Sequence, residues 1–379
     1  MNPYNLALYR SWFPFIEEKK IWLNHAAISP LSTRVRAAID RFLEEQTTGD
    51  IDIFLPSLEA HKQLKHNIAQ LIHTTPDRIG LVGNTSEGIN ILTNGLEWKS
   101  GDRIILNDIE FPTNVVPFLN LKQHGVEIDF VKNERGEVSI ESIERAITPN
   151  TKLLSISFVQ FLSGYRADLK AIGELCKARK IIFCVDGIQG VGVSPIDVQE
   201  MNIDFLSNGG NKWLMGMLGL GFIFLTEELQ KRIQQQHIGW TSNKNFFGDF
   251  FNYRIDLDET ARRYENGTQN FCGVVALRAS TEALLEVGIQ NIESHVRTLT
   301  ERLLAHLSEL GCEIISPHDA AKRAGIVSFA HSRTQEIFQA LTKEHIGVSQ
   351  REGMIRVAPH FYNSLDEIET VCSLVKKFS

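Results

Sequence analysis

Ile181-Ile182-Phe183-Cys184-Val185-Asp186-Gly187-Ile188-Gln189-Gly190-Val191-Gly192 is an apolar run that ends on an acid and continues into a glycine-rich turn. An apolar run without polar alternation reads as a strand buried on both faces, the kind found in parallel sheets covered by helices. Asp186 at its carboxyl end is partly desolvated, and it stays ionised only if a cationic donor faces it. The alternative is an Asp that caps the next turn. Working outward, similar β-branched runs lie at 79–82, 103–106, 126–131 and 153–159, and stretches of helical period such as Leu169 to Arg179 separate them. The alternation indicates an α/β unit with a mostly parallel sheet. Residues 242–264 are then polar and aromatic, residues 274–310 read as two helices broken near Gly288, and short strands at 326–329 and 355–357 follow. Ser364-Leu365-Asp366-Glu367 is a capping box that opens a last helix, so a smaller α+β unit closes the chain.

Composition narrows the function. The 379 residues carry 39 Lys plus Arg against 46 Asp plus Glu, a net charge of −7, which lacks the basic excess needed to bind nucleic acid. No apolar run approaches the roughly 18 residues of a membrane span. The opening MNPYNLALYRSWFPF has no basic n-region or small-residue cleavage site, so no secretory signal is expected. The five cysteines are an odd, widely spaced set without CxxC, which reads as reduced thiols in a cytoplasm. His61 and His66 are five apart on a helix and do not share a face, so no metal site is expected.

Ligands in open α/β sheets bind beyond the carboxyl ends of the strands, and four further segments there carry chemistry. Gly83-Asn84-Thr85-Ser86-Glu87-Gly88 follows the first strand and opens a helix, where free N–H groups and two hydroxyls suit a phosphate; simple capping by Thr85 or Ser86 is the alternative. In Ser207-Asn208-Gly209-Gly210-Asn211-Lys212-Trp213, a single Lys among small and apolar residues can become a nucleophilic amine, or can be a solvated surface charge. Arg263-Tyr264-Glu265-Asn266-Gly267-Thr268-Gln269-Asn270 is a polar turn with a hydroxyl. Arg356, in Met354-Ile355-Arg356-Val357-Ala358, either faces inward to bind a carboxylate or points outward from its strand. A protonated pyridine nitrogen is one cation that would satisfy Asp186.

Taken in order, these segments resemble the class V aminotransferase family of pyridoxal-phosphate enzymes, from Leu23-Asn24-His25-Ala26-Ala27-Ile28 to about Val357. The specific part is DxxQxxG followed by a Gly-flanked Lys-Trp. The resemblance implies the type I, aspartate-aminotransferase-like fold, divided into an N-terminal segment (1–20) on the small domain, a large cofactor domain (21–270) and a small domain (271–379). It implies pyridoxal 5'-phosphate in Schiff-base linkage to Lys212. Asp186 pairs with the ring nitrogen, Gln189 reaches the phenolic oxygen, and Phe111 of Glu110-Phe111-Pro112-Thr113-Asn114 stacks on the ring. Thr85 and Ser86 hold the phosphate, with Thr268 reaching in from a second subunit of a homodimer. Arg356 takes the substrate carboxylate, beside Ala27 and Ile28.

Four departures refine this expectation. Phe111 stands where cysteine desulfurases usually have His, Asn211 precedes Lys212 where His is common, and Gly209 replaces a frequent hydroxyl. The segment 349–356 leaves no room for the cysteine-bearing loop of desulfurases, so persulfide chemistry is disfavoured. The expected activity is that of an aminotransferase on an amino acid. An epimerase or C–S/C–C lyase (isopenicillin-N-epimerase-, selenocysteine-lyase- or kynureninase-like) is the alternative, because both chemistries use the same electron sink and lysine. A nucleotide-linked oxidoreductase is suggested only by Gly216-Met217-Leu218-Gly219-Leu220-Gly221, which precedes a strand where a dinucleotide fingerprint follows one. Phe246, Phe247, Phe250 and Phe251 read as packing under a loop, with a substrate pocket as the alternative, and Trp240 is open to both.

Overall fold

A computed structural model describes residues 4–248 and 250–378. Its central sheet has seven strands in the order Ile79–Val82, Gly221–Leu225, Phe205–Gly209, Ile182–Asp186, Thr151–Ser157, Arg103–Asn107, Glu127–Val131. All pairs are parallel except those of Gly221–Leu225, which runs antiparallel to both neighbours. Strand ends differ by a residue or two from the apolar runs. Strand Thr151–Ser157 stops short because Val159 turns back to bridge with Arg166.

The sheet is buried on both faces, and alternate residues divide between two cores. Phe183 and Val185 pack into one core, while Ile182 and Cys184 pack into the other with Phe205 and Leu153. On that second face the carboxyl ends turn polar: Ser155, Ser157, Asp186 and Ser207 continue the same alternation. Helix Thr85–Gly95 lies over it, contributing Ile89 and Leu92 to the core. The glycine of the TSEG stretch has a packing reason. A Cβ at Gly88 would sit 2.1 Å from Ser207 Oγ and 2.6 Å from Ile223 Cγ2, so only glycine lets this helix approach the sheet. The helix is capped by Asn84, whose Oδ1 accepts from Glu87 N at 2.9 Å, and not by Thr85 or Ser86.

The chain's second part builds a four-stranded antiparallel sheet, in the order Ser349–Arg351, Met354–Val357, Val327–Ala330, Glu313–Ile314. Helices Ile289–Glu309, Thr334–Lys343 and Leu365–Lys376 cover it and share its core. The capping box of the last helix is present in both directions, Glu367 N to Ser364 Oγ and Ser364 N to Glu367 Oε2. The helical stretch breaks at Gly288, whose φ is +83°. Helix Phe271–Val287 packs on helices Thr33–Thr47 and Phe54–Ile72, and on that packing we propose Gly288 as the division between the two units. Near the N-terminus, Arg10 pairs with Glu367, and the Tyr4 ring stacks on His295 at 4.6 Å. No helix among the described residues is long and apolar enough to cross a membrane.

Both units and the N-terminal segment meet at a buried aromatic seam around Trp213. His25 Nδ1 donates to Ala358 O at 2.7 Å, and its Nε2 accepts from Tyr362 Oη at 2.8 Å. His360 Nε2 donates to Trp213 O at 3.0 Å, while its Nδ1 accepts from Phe361 N at 2.8 Å. Each neutral ring is therefore fully satisfied; a proton added to His360 Nδ1 would face the Phe361 N–H, and one added to His25 Nε2 would turn the Tyr362 hydroxyl proton away. Burial drives the imidazole of His360 down to about 4 and that of His25 well below its ordinary value. Between pH 6.5 and 4 the unfolded chain binds protons that the folded chain refuses, so stability is full above pH 6.5 and is lost as pH falls. Thermal unfolding should be flat near pH 7–8 and fall steeply towards pH 5. His360 alone should contribute about 2 kcal/mol of that loss by pH 5. A melting temperature independent of pH between 7 and 5 would refute this reading of the seam.

Candidate active site

The polar strand ends form the floor of a cleft, and Lys212 enters it on the loop after strand Phe205–Gly209. That loop is drawn tight by Gly210 N to Leu220 O (2.9 Å) and Gly216 N to Gly210 O (2.8 Å). A Cβ at Gly216 or Gly210 would press on Leu277, so the loop lies directly on helix Phe271–Val287. From the other side the turn after Asn24 clips on: Ser29 N donates to Asn211 O at 3.1 Å, and Ser29 Oγ donates to Lys212 O. Ala27 and Ile28 belong to this turn, and Ile28 O accepts from Trp22 Nε1 at 3.0 Å. Lys212 Nζ stands 5.6 Å from the centre of the Phe111 ring. Burial lowers the proton affinity of the amine, Arg356 and Arg351 lower it further, and Asp186 opposes them. Lys212 is thus not the solvated surface charge that a lone Lys usually is.

Asp186 is fully buried, and one oxygen accepts from Ile188 N at 3.0 Å, so it does cap the following turn. Burial raises its pKa, Glu110 adds to the rise, and the Ile188 N–H and Lys212 oppose it. No cation bonds it within the chain among the described residues. Gln189 is also buried: its Oε1 accepts from Trp213 Nε1 at 2.8 Å, and Nε2 donates to Ala26 O at 3.0 Å. An amide nitrogen carries two protons, so one donor remains.

Thr85, Gly209 and Asn211 surround a common space at the helix start. Thr85 Oγ1 is buried without a hydrogen-bond partner. A Cβ on Gly209 would come within 3.3 Å of that oxygen and 3.4 Å of Asn211 Oδ1. Ser86 Oγ lies 3.0 Å from Thr113 Oγ1. With their capping role taken by Asn84, the Thr85 and Ser86 hydroxyls stand beside helix N–H groups that favour an anion.

Phe111 is 43% exposed and meets Phe161 edge-on at 5.2 Å. Beside it lies a residue that the sequence reading did not single out. The buried carboxylate of Glu110 accepts from Ser157 N (2.8 Å), Gln160 Nε2 (2.9 Å), Asn107 Nδ2 and Ser157 Oγ. Ser157 is the sheet partner of Asp186, so two buried acids sit one strand apart. Nothing local in Glu-Phe-Pro signals this, because three of the four bonds come from residues 47–50 positions away.

Arg356 faces inward, only 2% exposed; its Nη1 donates to Phe161 O at 2.6 Å and its Nε to Ser349 Oγ at 3.2 Å. Burial and then Arg351 push the guanidinium down to about 10. Thr268 is not part of this cluster within one chain. It is exposed and shares no hydrogen bond with the other candidates among the described residues. The chain before it is anchored by buried Glu265, which binds His61 Nε2 (2.7 Å), Leu81 N (3.0 Å) and Lys65 Nζ (3.5 Å). His61 is therefore a buried partner of a carboxylate, while His66 is exposed. Phe246, Phe247 and Trp240 pack on one another and, with the exposed Phe250 and Tyr253, line a cleft of about 870 Å³, so packing under a loop accounts for only part of the aromatic stretch.

The "Aminotransferase class-V" family profile matches residues 21–371. A probable cysteine desulfurase of Methanothermobacter thermautotrophicus is 26% identical over 92% of each chain. The uncharacterized aminotransferase YcbU of Bacillus subtilis is also 26% identical, over 95% of this chain and 94% of that one. Among solved structures, the apo cysteine desulfurase of Thermococcus onnurineus NA1 superposes with a TM-score of 0.89 at 24% identity, covering 97% of this chain and 96% of the other. The cystine C-S lyase C-DES, in complex with cysteine persulfide, gives 0.85 at 22%, covering 93% and 96%. The cleft suits the cofactor of that family: a buried acid without a cation, a partly buried amine facing an aromatic ring, and an unpartnered buried hydroxyl at a helix start. The chain belongs to the class V aminotransferase family and is a pyridoxal 5'-phosphate-dependent enzyme of the type I fold.

Proposed function

We propose that the enzyme is an aminotransferase acting on an amino acid, with Lys212 as the amine that links to the cofactor. The observation that carries this is the placing of Lys212 Nζ against the Phe111 ring, with Asp186 and Arg356 both acting electrostatically on it. Pyridoxal phosphate, when bound, supplies an electron sink for the substrate Cα, provided its ring nitrogen is protonated. Asp186, buried and without a cation of its own, is suited to hold that proton. Gln189 has one free N–H for the phenolic oxygen, and Phe111 offers its face to the ring. Thr85, Ser86 and the N-terminus of helix Thr85–Gly95 provide donors for the phosphate. Arg356 binds the substrate carboxylate, beside Ala27 and Ile28, and Lys212, its proton affinity already lowered, moves the proton to and from Cα.

The same residues would serve an epimerase or a lyase, and the products of an amino-acid panel (keto acid, epimer, ammonia) separate them. Persulfide transfer is disfavoured by where the cysteines lie. Cys176, Cys184 and Cys372 are buried and their thiols are pushed up to about 12. The hairpin before Arg356 turns through Glu352-Gly353 and holds no cysteine. The free thiols suit a reducing compartment, the cytoplasm.

We further propose that the active unit is a homodimer: Thr268 is exposed on a segment anchored by Glu265, which supports its giving a donor to the phosphate site of a second copy, and a C2 interface would make two such sites.

Borohydride reduction of the holoenzyme should fix pyridoxyl mass on the Lys212 peptide, and Lys212→Ala should lose about 10²–10⁴-fold in turnover. Label on another lysine would sink the assignment. A variant lacking all five cysteines should keep most of the main activity; loss of turnover traced to one of them would restore the desulfurase reading. Thr268→Ala should weaken cofactor binding by about tenfold, the loss of one charge-assisted hydrogen bond. Mixing Lys212→Ala chains with severely impaired Thr268 variants should recover part of the activity through one intact hybrid site. No recovery after verified subunit exchange would argue against a shared site.

A further inference from the structure

The substrate end of the cleft holds a second guanidinium. Strand Ser349–Arg351 pairs antiparallel with Met354–Val357, in the register Ser349↔Arg356, Gln350↔Ile355, Arg351↔Met354. Directly opposed side chains share a face and neighbours along a strand alternate, so Ser349, Arg351, Met354 and Arg356 point one way. Ile355 and Val357 point the other way, into the core. The bond from Arg356 Nε to Ser349 Oγ agrees with this register. Arg351 is then the diagonal neighbour of Arg356, roughly 7–8 Å away between backbones.

The hairpin is stiff. Its two-residue turn, Glu352-Gly353, has φ of +47° and +78°, the twist that suits a tight hairpin. Arg351 is therefore carried on a rigid element at the rim and not on a long loop.

Two like charges on one face repel unless an anion lies between them. Among the described residues neither Arg351 nor Arg356 forms an ion pair. Arg351 Nη1 donates to Gln350 O at 3.0 Å, and Arg356 bonds only Phe161 O and Ser349 Oγ. Other partly buried arginines are neutralised by acids, as Arg103 is by Asp129 and Glu127 and Arg262 is by Asp258. Arg351 also acts on Lys212 and on Arg356, lowering the proton affinity of both, so it lies within electrostatic reach of the reacting amine.

We propose that Arg351 is a second anion-binding residue of the substrate site, and that the substrates are amino acids whose side chain ends in an acid group. The inference rests on the proposed role of Arg356: the α-carboxylate neutralises Arg356, and the side-chain acid neutralises Arg351. A substrate with one acid leaves Arg351 uncompensated beside Arg356.

Succinate and butyrate test this without turnover, since neither has an amine. Both are titrated into the holoenzyme, with binding read by calorimetry. Succinate should bind at least tenfold more tightly than butyrate. Arg351→Gln should bring the two within threefold of each other by weakening succinate, and Arg351→Lys should restore part of the preference. Arg356→Gln should weaken both ligands. Equal binding of the two by the unaltered enzyme would overturn the proposal. So would equal weakening of both by Arg351→Gln, which would mean that the two arginines share one carboxylate. Undiminished binding of both by Arg356→Gln would remove the role of Arg356 on which the inference rests, a failure distinct from that of Arg351.

Discussion

The indole of Trp213 is the contact on which the site depends. It is wholly buried, its Nε1 donates to Gln189, and its carbonyl accepts from His360 of the second unit. A Cβ at Gly325 would fall 2.6 Å from the ring, and one at Gly192 would fall 2.5 Å from the carbonyl oxygen. Three distant segments thus close on one residue, and the next residue back along the chain is Lys212. Burying an indole contributes roughly 3 kcal/mol or more, but its larger effect is geometric. The amine is held by a side chain that has no other place to go.

From that fixed point the charges of the cleft fall into an order. Asp186 and Glu110 lie at the floor, bonded to strand and turn donors and, among the described residues, not to a cation. Lys212 stands in the middle, and Arg356 comes from the second unit. A low-dielectric cleft strengthens such a gradient, and a ligand that is cationic at one end and anionic at the other is oriented by it before any specific contact forms. On the proposed reading, the cofactor ring nitrogen and the substrate carboxylate occupy those two ends. On that reading the site draws on both units: the sheet end supplies the buried Asp186, and the hairpin of the second unit supplies the inward Arg356.

The polar floor has a simple structural origin. Residues of one strand alternate between two cores, and the alternation that buries Ile182 and Cys184 under helix Thr85–Gly95 sends Asp186 to the same face. Gly88 lets the helix lie close enough for its first turn to meet Ser207, whose Oγ donates to Thr85 O at 2.9 Å. The polar floor and the packed core are therefore consecutive positions of one pattern.

The order of residues already carries the parallel-sheet architecture, the break at Gly288 and the last helix with its capping box. Each of these is set by local periodicity or by a backbone preference within a few residues. It also marked Asp186, Lys212 and Arg356, because charged residues at strand ends depart from the apolar pattern around them, and Thr85, because its hydroxyl stands at a helix start; Phe111 and Gln189 were carried by the family resemblance. Folding in three dimensions is what makes Asn84 the cap, which leaves the Thr85 and Ser86 hydroxyls free of that role. It alone placed Glu110 one strand from Asp186, sealed His25 and His360 around Trp213, and set Arg351 diagonal to Arg356. These depend on pairing register and on contacts between residues far apart in the chain. A one-residue shift in either sheet would turn the same side chains to the opposite face without changing the sequence.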